Sequence, residues 1–153
     1  MSPRPTLVLV DDDHEHHFLF RRQLSKRLGY PPSRVYSFTD GISALPRIEL
    51  LMSQARPVVL VLDLNMPLVS GWDLLTDLQR GITAKGLDRR LLTVYVVSGS
   101  ALQSERERAD RHPLVAEYFV KSPTAGDVLT ALSGQVAPWS KPDATGHGAA
   151  SAI

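Results

Sequence analysis

Cysteine is absent from the 153 residues, which removes disulfides and thiolate-bound metals from the available chemistry and fits a reducing compartment. Long apolar runs are missing too. None approaches the roughly 20 residues that span a bilayer, and the opening Met1-Ser2-Pro3-Arg4-Pro5 has no signal-like apolar stretch. Nor is there an excess of charge of either sign. Seventeen Lys plus Arg against 16 Asp plus Glu leave a formal charge of +1, which gives no electrostatic reason to expect nucleic acid as a partner. What remains is ordinary: 43% hydrophobic and 22% charged residues, a composition that folds. At roughly 100–200 residues per domain, the length holds one domain and a tail. The expectation is a small cytoplasmic domain with no membrane insertion.

Five apolar runs punctuate the chain: Thr6–Val10, Arg34–Phe38, Val58–Leu62, Leu92–Val97 and Glu117–Val120. The first, third and fourth are nearly continuous, as strands buried on both faces should be. Helical spacing fills the gaps. Phe20, Leu24 and Leu28 recur every four residues before Gly29, and Ile42, Leu45, Ile48 and Leu51/Met52 follow Asp40-Gly41. Pro46 interrupts this second pattern, so that helix either begins late, near Ala44, or has a distorted first turn. Ser70, Ser104 and Thr124 are candidate N-caps, the first for a helix carrying Leu74, Leu75 and Leu78, the last for one carrying Val128, Leu129 and Leu132. Strands alternating with helices imply a parallel sheet covered on both faces. The domain is expected over 6–133. Residues 134–153, twelve of them Gly, Ala, Pro or Ser, read as a flexible tail that contains Trp139.

The chemistry-bearing residues fall where the apolar runs end. The first ends in Asp11-Asp12-Asp13 and the third in Asp63. In a doubly wound sheet, ligands bind beyond the carboxyl ends of the strands, so neighbouring first and third strands would bring Asp11, Asp12 and Asp63 together. Clustered carboxylates raise one another's pKa or recruit a cation, and oxygen-only ligands suit Mg²⁺. Asp13 reads as a helix cap. The fourth strand ends in Ser98-Gly99 and the fifth in Lys121. Acids, a hydroxyl and a lysine at successive strand ends form a set able to handle a phosphoryl group, with one carboxylate as nucleophile.

With these residues in view, the sequence resembles the receiver domain of two-component response regulators. The resemblance rests on Leu7-Val8-Leu9-Val10-Asp11-Asp12-Asp13, on Val61-Leu62-Asp63-Leu64-Asn65-Met66-Pro67 with Gly71, on Val97-Ser98-Gly99 and on Tyr118-Phe119-Val120-Lys121. Gly71-Trp72-Asp73-Leu74-Leu75 and His112-Pro113-Leu114-Val115 look closest to its stand-alone, single-domain members. It implies a flavodoxin-like doubly wound (βα)5 fold with a five-stranded parallel sheet in the order 2-1-3-4-5. It further implies Asp63 as phosphoacceptor, with Mg²⁺ held by Asp11, Asp12, Asp63 and the backbone carbonyl of Asn65. Ser98, Gly99 and Lys121 would meet the phosphoryl oxygens, Tyr118 would be the switch aromatic, and Asn65 and Ser100 would tune dephosphorylation. The implied protein is no enzyme beyond its own phosphorylation and dephosphorylation. Its partners would be a sensor histidine kinase or histidine phosphotransfer protein and a downstream protein target, with the chain a monomer or weak dimer.

The chain departs from the family pattern after Lys121, where Ser122 precedes Pro123 and the usual lysine–proline cis bond has no counterpart; a cis bond before serine costs about 2.5–4 kcal/mol. The 35-residue step from Asp63 to Ser98 looks long, the excess falling in Gly81–Arg90. Two rivals stand beside this reading. A haloacid-dehalogenase-type phosphatase would use the Asp11-x-Asp13 spacing, but Glu15 stands where that motif wants Thr or Val and Asp63 would have no role. A pseudo-receiver would keep the fold as a binding module without phosphorylation. His14, His16 and His17 read as a solvated first turn, and Arg21, Arg22, Lys26 and Arg27 as an exposed basic helix face.

Overall fold

The computed structural model describes residues 5–121 and 126–135. Strands β1 (Thr6–Val10), β2 (Val35–Phe38), β3 (Val58–Asp63), β4 (Leu92–Ser98) and β5 (Val115–Val120) form one five-stranded parallel sheet in the order β2-β1-β3-β4-β5. Helices α1 (His14–Gln23), α2 (Gly41–Ser53), α3 (Gly71–Lys85) and α4 (Gln103–Arg111) make the crossovers, and α5 (Gly126–Gln135) follows β5. This is the expected doubly wound architecture and strand order.

Alternate side chains of the central strands point to opposite faces, and each face has its own helices. Leu7, Leu9, Val59, Val61, Tyr95 and Val97 pack with Phe20 of α1 and with Val128, Leu129 and Leu132 of α5. Val8, Val10, Leu60, Leu62, Val94 and Val96 pack with Ile48 of α2, Leu74, Leu75 and Leu78 of α3, and Ala109 of α4. Burial on both sides is why β1 and β3 read as unbroken apolar runs.

Local chemistry sets most helix ends. Ser70 accepts from the Asp73 amide while the Asp73 carboxylate accepts from the Ser70 amide, a capping box that starts α3. Leu24–Leu28 form a π-helical turn after α1, and Gly29, at φ 66°, closes it. Asp40 caps α2, its carboxylate accepting from the Ser43 amide at 2.7 Å. The helix therefore begins at Gly41, not near Ala44, with Pro46 inside it. Pro46 and Ile42 are both exposed, so the Ile42 carbonyl, which loses its helical donor to the proline, lies within reach of water. Ile42 accordingly points outward at 69% exposure, while Ala44 takes the inward position.

Further expectations are revised. The fourth helix begins at Gln103 with Leu102 at its N-cap, so Ser104 lies inside it and caps nothing. β5 starts two residues before the apolar run, at Val115, because the register skips Ala116 between Val94 and Tyr95 and so pairs Val115 with Val94. The length placed after Gly81 resolves as the last turn of α3 and a short 3-10 turn, Arg89–Leu91. Gly134 and Gln135, placed at the start of the tail, are instead the last residues of α5, while Thr124, the Ser122-Pro123 pair and Trp139 with the rest of the proposed tail beyond Gln135 lie outside the described residues.

Tyr30 ties the β1 edge to the β2 approach. Its fully buried hydroxyl accepts from the Leu7 amide at 3.2 Å and donates to the Arg34 carbonyl at 3.3 Å. Tyr30→Phe is expected to lower unfolding free energy by about 1–2 kcal/mol, since a buried amide loses its acceptor. A urea titration checks this: the midpoint should fall at unchanged slope.

Candidate functional site

The carboxyl ends of β1, β3, β4 and β5 meet at one end of the sheet. Parallel pairing in register sets this meeting: Val10 lies opposite Leu62, and Asp63 opposite Val97. The Lys121 amide donates to the Ser98 carbonyl at 2.6 Å, bringing the lysine beside the end of β4. Asp12, Asp13, Asp63, Asn65, Gly99 and Lys121 line a cleft of about 500 Å³ there. Carboxylate oxygens of Asp11, Asp12 and Asp63 all lie within 4.8 Å of one another. The three acids expected to converge do so.

Asp11 is 1% exposed and heavily engaged. Its Oδ1 accepts from the Asp13 amide at 2.8 Å, and Asp13 in turn caps α1 by accepting from the Glu15 amide. Its Oδ2 lies 2.5 Å from His16 Nδ1 and 2.9 Å from Lys121 Nζ, yet neither contact has the alignment of a hydrogen bond. Burial alone pushes this carboxyl up, but His16, Lys121 and the Asp13 amide outweigh it and hold the pKa at about 2. Asp63 behaves oppositely. Its Oδ1 accepts from the Asn65 amide at 3.0 Å and its Oδ2 lies 3.5 Å from Lys121 Nζ. Burial, reinforced by the Asp11 charge, overcomes these partners and raises its pKa to about 6. Burial works against the Lys121 ammonium as well, but the two carboxylates prevail and keep its pKa above the ordinary value.

The first turn of α1 is not solvated as the sequence suggested. His14 is exposed, but His16 and His17 are each only 7% exposed. His17 Nε2 lies 2.6 Å from the Asp11 carbonyl oxygen, so it must carry the proton and donate. Two imidazoles thus brace Asp11 from beneath the cleft. The signal was legible: stepping back four residues from Phe20 along its own periodicity lands on His16.

At the other wall, Ser98 is fully buried. Its Oγ accepts from Asn65 Nδ2 at 2.8 Å and from the Ser100 amide at 3.1 Å, and it donates to Glu105 Oε1 at 2.5 Å. The Tyr118 hydroxyl lies 2.9 Å from the same carboxylate oxygen and 2.5 Å from the Ser100 carbonyl. Tyr118 is 3% exposed, its ring inward, and burial raises its phenol pKa. Glu105 is not among the residues the sequence places at the site. Glu105 stands four residues before Ala109, the buried residue of that helix, and so shares its inward side.

The donor set fits a hard divalent cation. It offers three carboxylates and no sulfur, with one oxygen from each of Asp11, Asp12 and Asp63 within 4.8 Å of the others. Among the described residues, no helix is long and apolar enough to cross a membrane.

No protein-family model matches the chain. A curated protein, the "protein-glutamate methylesterase/protein-glutamine glutaminase 2" of Koribacter versatilis, is 35% identical over 132 residues, which is 85% of this chain. The chain spans about a third of that protein's length, 32%. Among solved structures, a two-component response regulator from Cytophaga hutchinsonii aligns with a TM-score of 0.68 at 23% identity, covering 88% of this chain and 98% of that one. The response regulator TrrA of Thermotoga maritima, solved in complex with Mg²⁺-BeF, gives 0.60 at 18% identity, covering 88% and 99%. The CheX-CheY-BeF₃-Mg²⁺ complex of Borrelia burgdorferi gives 0.64 at 15% identity, covering 87% and 89%.

Proposed function

We propose that this chain, which has the receiver fold of two-component response regulators, accepts a phosphoryl group on Asp63 from a phosphohistidine and signals the change to a protein partner. The observation that carries this reading is the convergence of Asp11, Asp12, Asp63 and Lys121 from three different strand ends. A helix-capping role explains Asp13, but it does not explain a buried aspartate whose Oδ2 lies beside both a second acid and a lysine.

In the proposed transfer, an Asp63 carboxylate oxygen forms the new bond to phosphorus as the phosphorus–nitrogen bond of the donor breaks. The leaving imidazole keeps the electron pair and takes up a proton. Mg²⁺, held by Asp11, Asp12, Asp63 and the Asn65 carbonyl, would neutralise charge on the acceptor and phosphoryl oxygens. Lys121 supplies a fixed positive charge 3.5 Å from Asp63 Oδ2, and Ser98 a hydroxyl donor at the next strand end. Asp11 orients the lysine, and His16 and His17 orient Asp11. The receiver domain is proposed to occupy 6–133, with a kinase or phosphotransfer protein as donor; Asn65 and Ser100 flank the position from which water would hydrolyse the acyl phosphate.

The test is incubation with acetyl phosphate or phosphoramidate and Mg²⁺, read by intact mass. A phosphate-sized gain is expected, lost with chelator and absent in Asp63→Asn. Mg²⁺ binding without any such gain would instead establish a pseudo-receiver.

A further inference from the structure

The Ser98 hydroxyl is saturated. It accepts two hydrogen bonds, from Asn65 Nδ2 and the Ser100 amide, and its single proton goes to Glu105 Oε1. A hydroxyl has one proton and two lone pairs, so nothing is left over for a new acceptor. A phosphoryl oxygen arriving on Asp63 could engage Ser98 only by taking that proton away from Glu105. The same carboxylate oxygen lies 2.9 Å from the Tyr118 hydroxyl, so the serine and the expected switch aromatic share one anion on α4.

We propose that Glu105 is a positioning residue that holds Ser98 in reserve, its carboxylate competing with the phosphoryl group for the single Ser98 proton. This rests on the reading of Asp63 as phosphoacceptor. Phosphorylation would then be felt at α4 directly: withdrawal of Ser98 leaves Glu105 only the Tyr118 hydroxyl, whose single proton the Ser100 carbonyl also claims at 2.5 Å, and the start of the helix is free to resettle. The competition is between two anions for one donor, so neutralising one of them shifts the balance. Charged acceptors bind a hydroxyl more strongly than neutral ones.

Beryllofluoride with Mg²⁺ serves as the phosphoryl mimic, its binding followed by ¹⁹F resonances of the bound fluorides. Glu105→Gln is expected to tighten beryllofluoride binding about tenfold, the difference between a charged and a neutral acceptor. In a Ser98→Ala background the same substitution should change affinity little, because the proton under competition is gone. A role confined to holding α4 in place would shift both backgrounds alike. Equal affinities of wild type and Glu105→Gln, or an equal gain in both backgrounds, would overturn the proposal and leave the Asp63 reading standing. No beryllofluoride binding by the wild type, or undiminished binding by Asp63→Asn, would overturn the Asp63 reading and the Glu105 role together.

Discussion

Asp63→Asn is expected to stabilise the metal-free protein by about 2–3 kcal/mol near pH 8 while abolishing phosphate incorporation. The carboxyl is held at about 6 in the folded chain against an ordinary value of 3.8. A folded-state pKa raised above the unfolded one means that the folded protein binds the proton more tightly. The stability this contributes is fully present below about pH 4 and is lost as pH rises through about 6. Asparagine has no proton to lose. The variant should match the wild type in acid and exceed it at neutral and alkaline pH. Its side-chain oxygen can still accept from the Asn65 amide, so the loop is not otherwise disturbed. Mg²⁺ should reverse the ranking, because binding to the ionised site stabilises the wild type by mass action and the variant hardly at all. Urea midpoints at several pH values, with Mg²⁺ and with chelator, give the whole pattern; a variant less stable than wild type at pH 8 in chelator would refute the raised pKa.

Gly71→Ala is expected to destabilise the domain by roughly 2–4 kcal/mol, the upper range for an overpacked site. A Cβ there would stand 2.6 Å from the Asp63 carbonyl oxygen and 2.8 Å from the Leu64 Cα. Both are backbone atoms at the end of β3, tied further by the Gly71 amide donating to the Leu64 carbonyl at 3.1 Å. No flexible side chain can yield, so either α3 retreats or the strand end that carries Asp63 shifts. The function should therefore suffer with the fold: Mg²⁺ affinity and phosphate incorporation both fall. Gly134→Ala is the control. It lies in the last turn of α5, a Cβ there meets nothing within 4 Å, and helix propensity, weakened at a helix end, predicts a gain of no more than about 0.5 kcal/mol. Chemical denaturation of both variants separates the close approach at Gly71 from the general effect of glycine in a helix.

Much of the molecule was legible in the residues alone. Continuous apolar runs at β1 and β3, four-residue spacing in α1 and the Ser70 cap are local signals, readable because strand burial, helix periodicity and end-capping act over a few residues. The strand-end positions of Asp11, Asp12, Asp63, Ser98 and Lys121 were legible for the same reason, since where a strand ends is a local property. The misreadings share a different cause. Polarity places His16 and His17 in solvent, whereas the buried Asp11 at the end of β1 holds His16 Nδ1 against its carboxylate at 2.5 Å and offers its backbone carbonyl to His17 Nε2. Glu105 is not legible as a site residue because its partners, Ser98 and Tyr118, stand seven residues before it and thirteen after it, on two other elements.

The amino-acid sequence by itself determined the order of elements, the two-sided burial of the sheet and the clustering of acids at one end of it. Only the tertiary structure decided that Asp11 and Asp63, alike in sequence context, have pKa values of about 2 and about 6. It also decided that Lys121 sits between them and that one glutamate holds both the serine and the tyrosine. The physical reason is that desolvation and Coulomb interaction depend on distance through space. Asp63 and Lys121 are 58 residues apart along the chain and 3.5 Å apart in the fold, and only the parallel register of β3, β4 and β5 turns the first separation into the second.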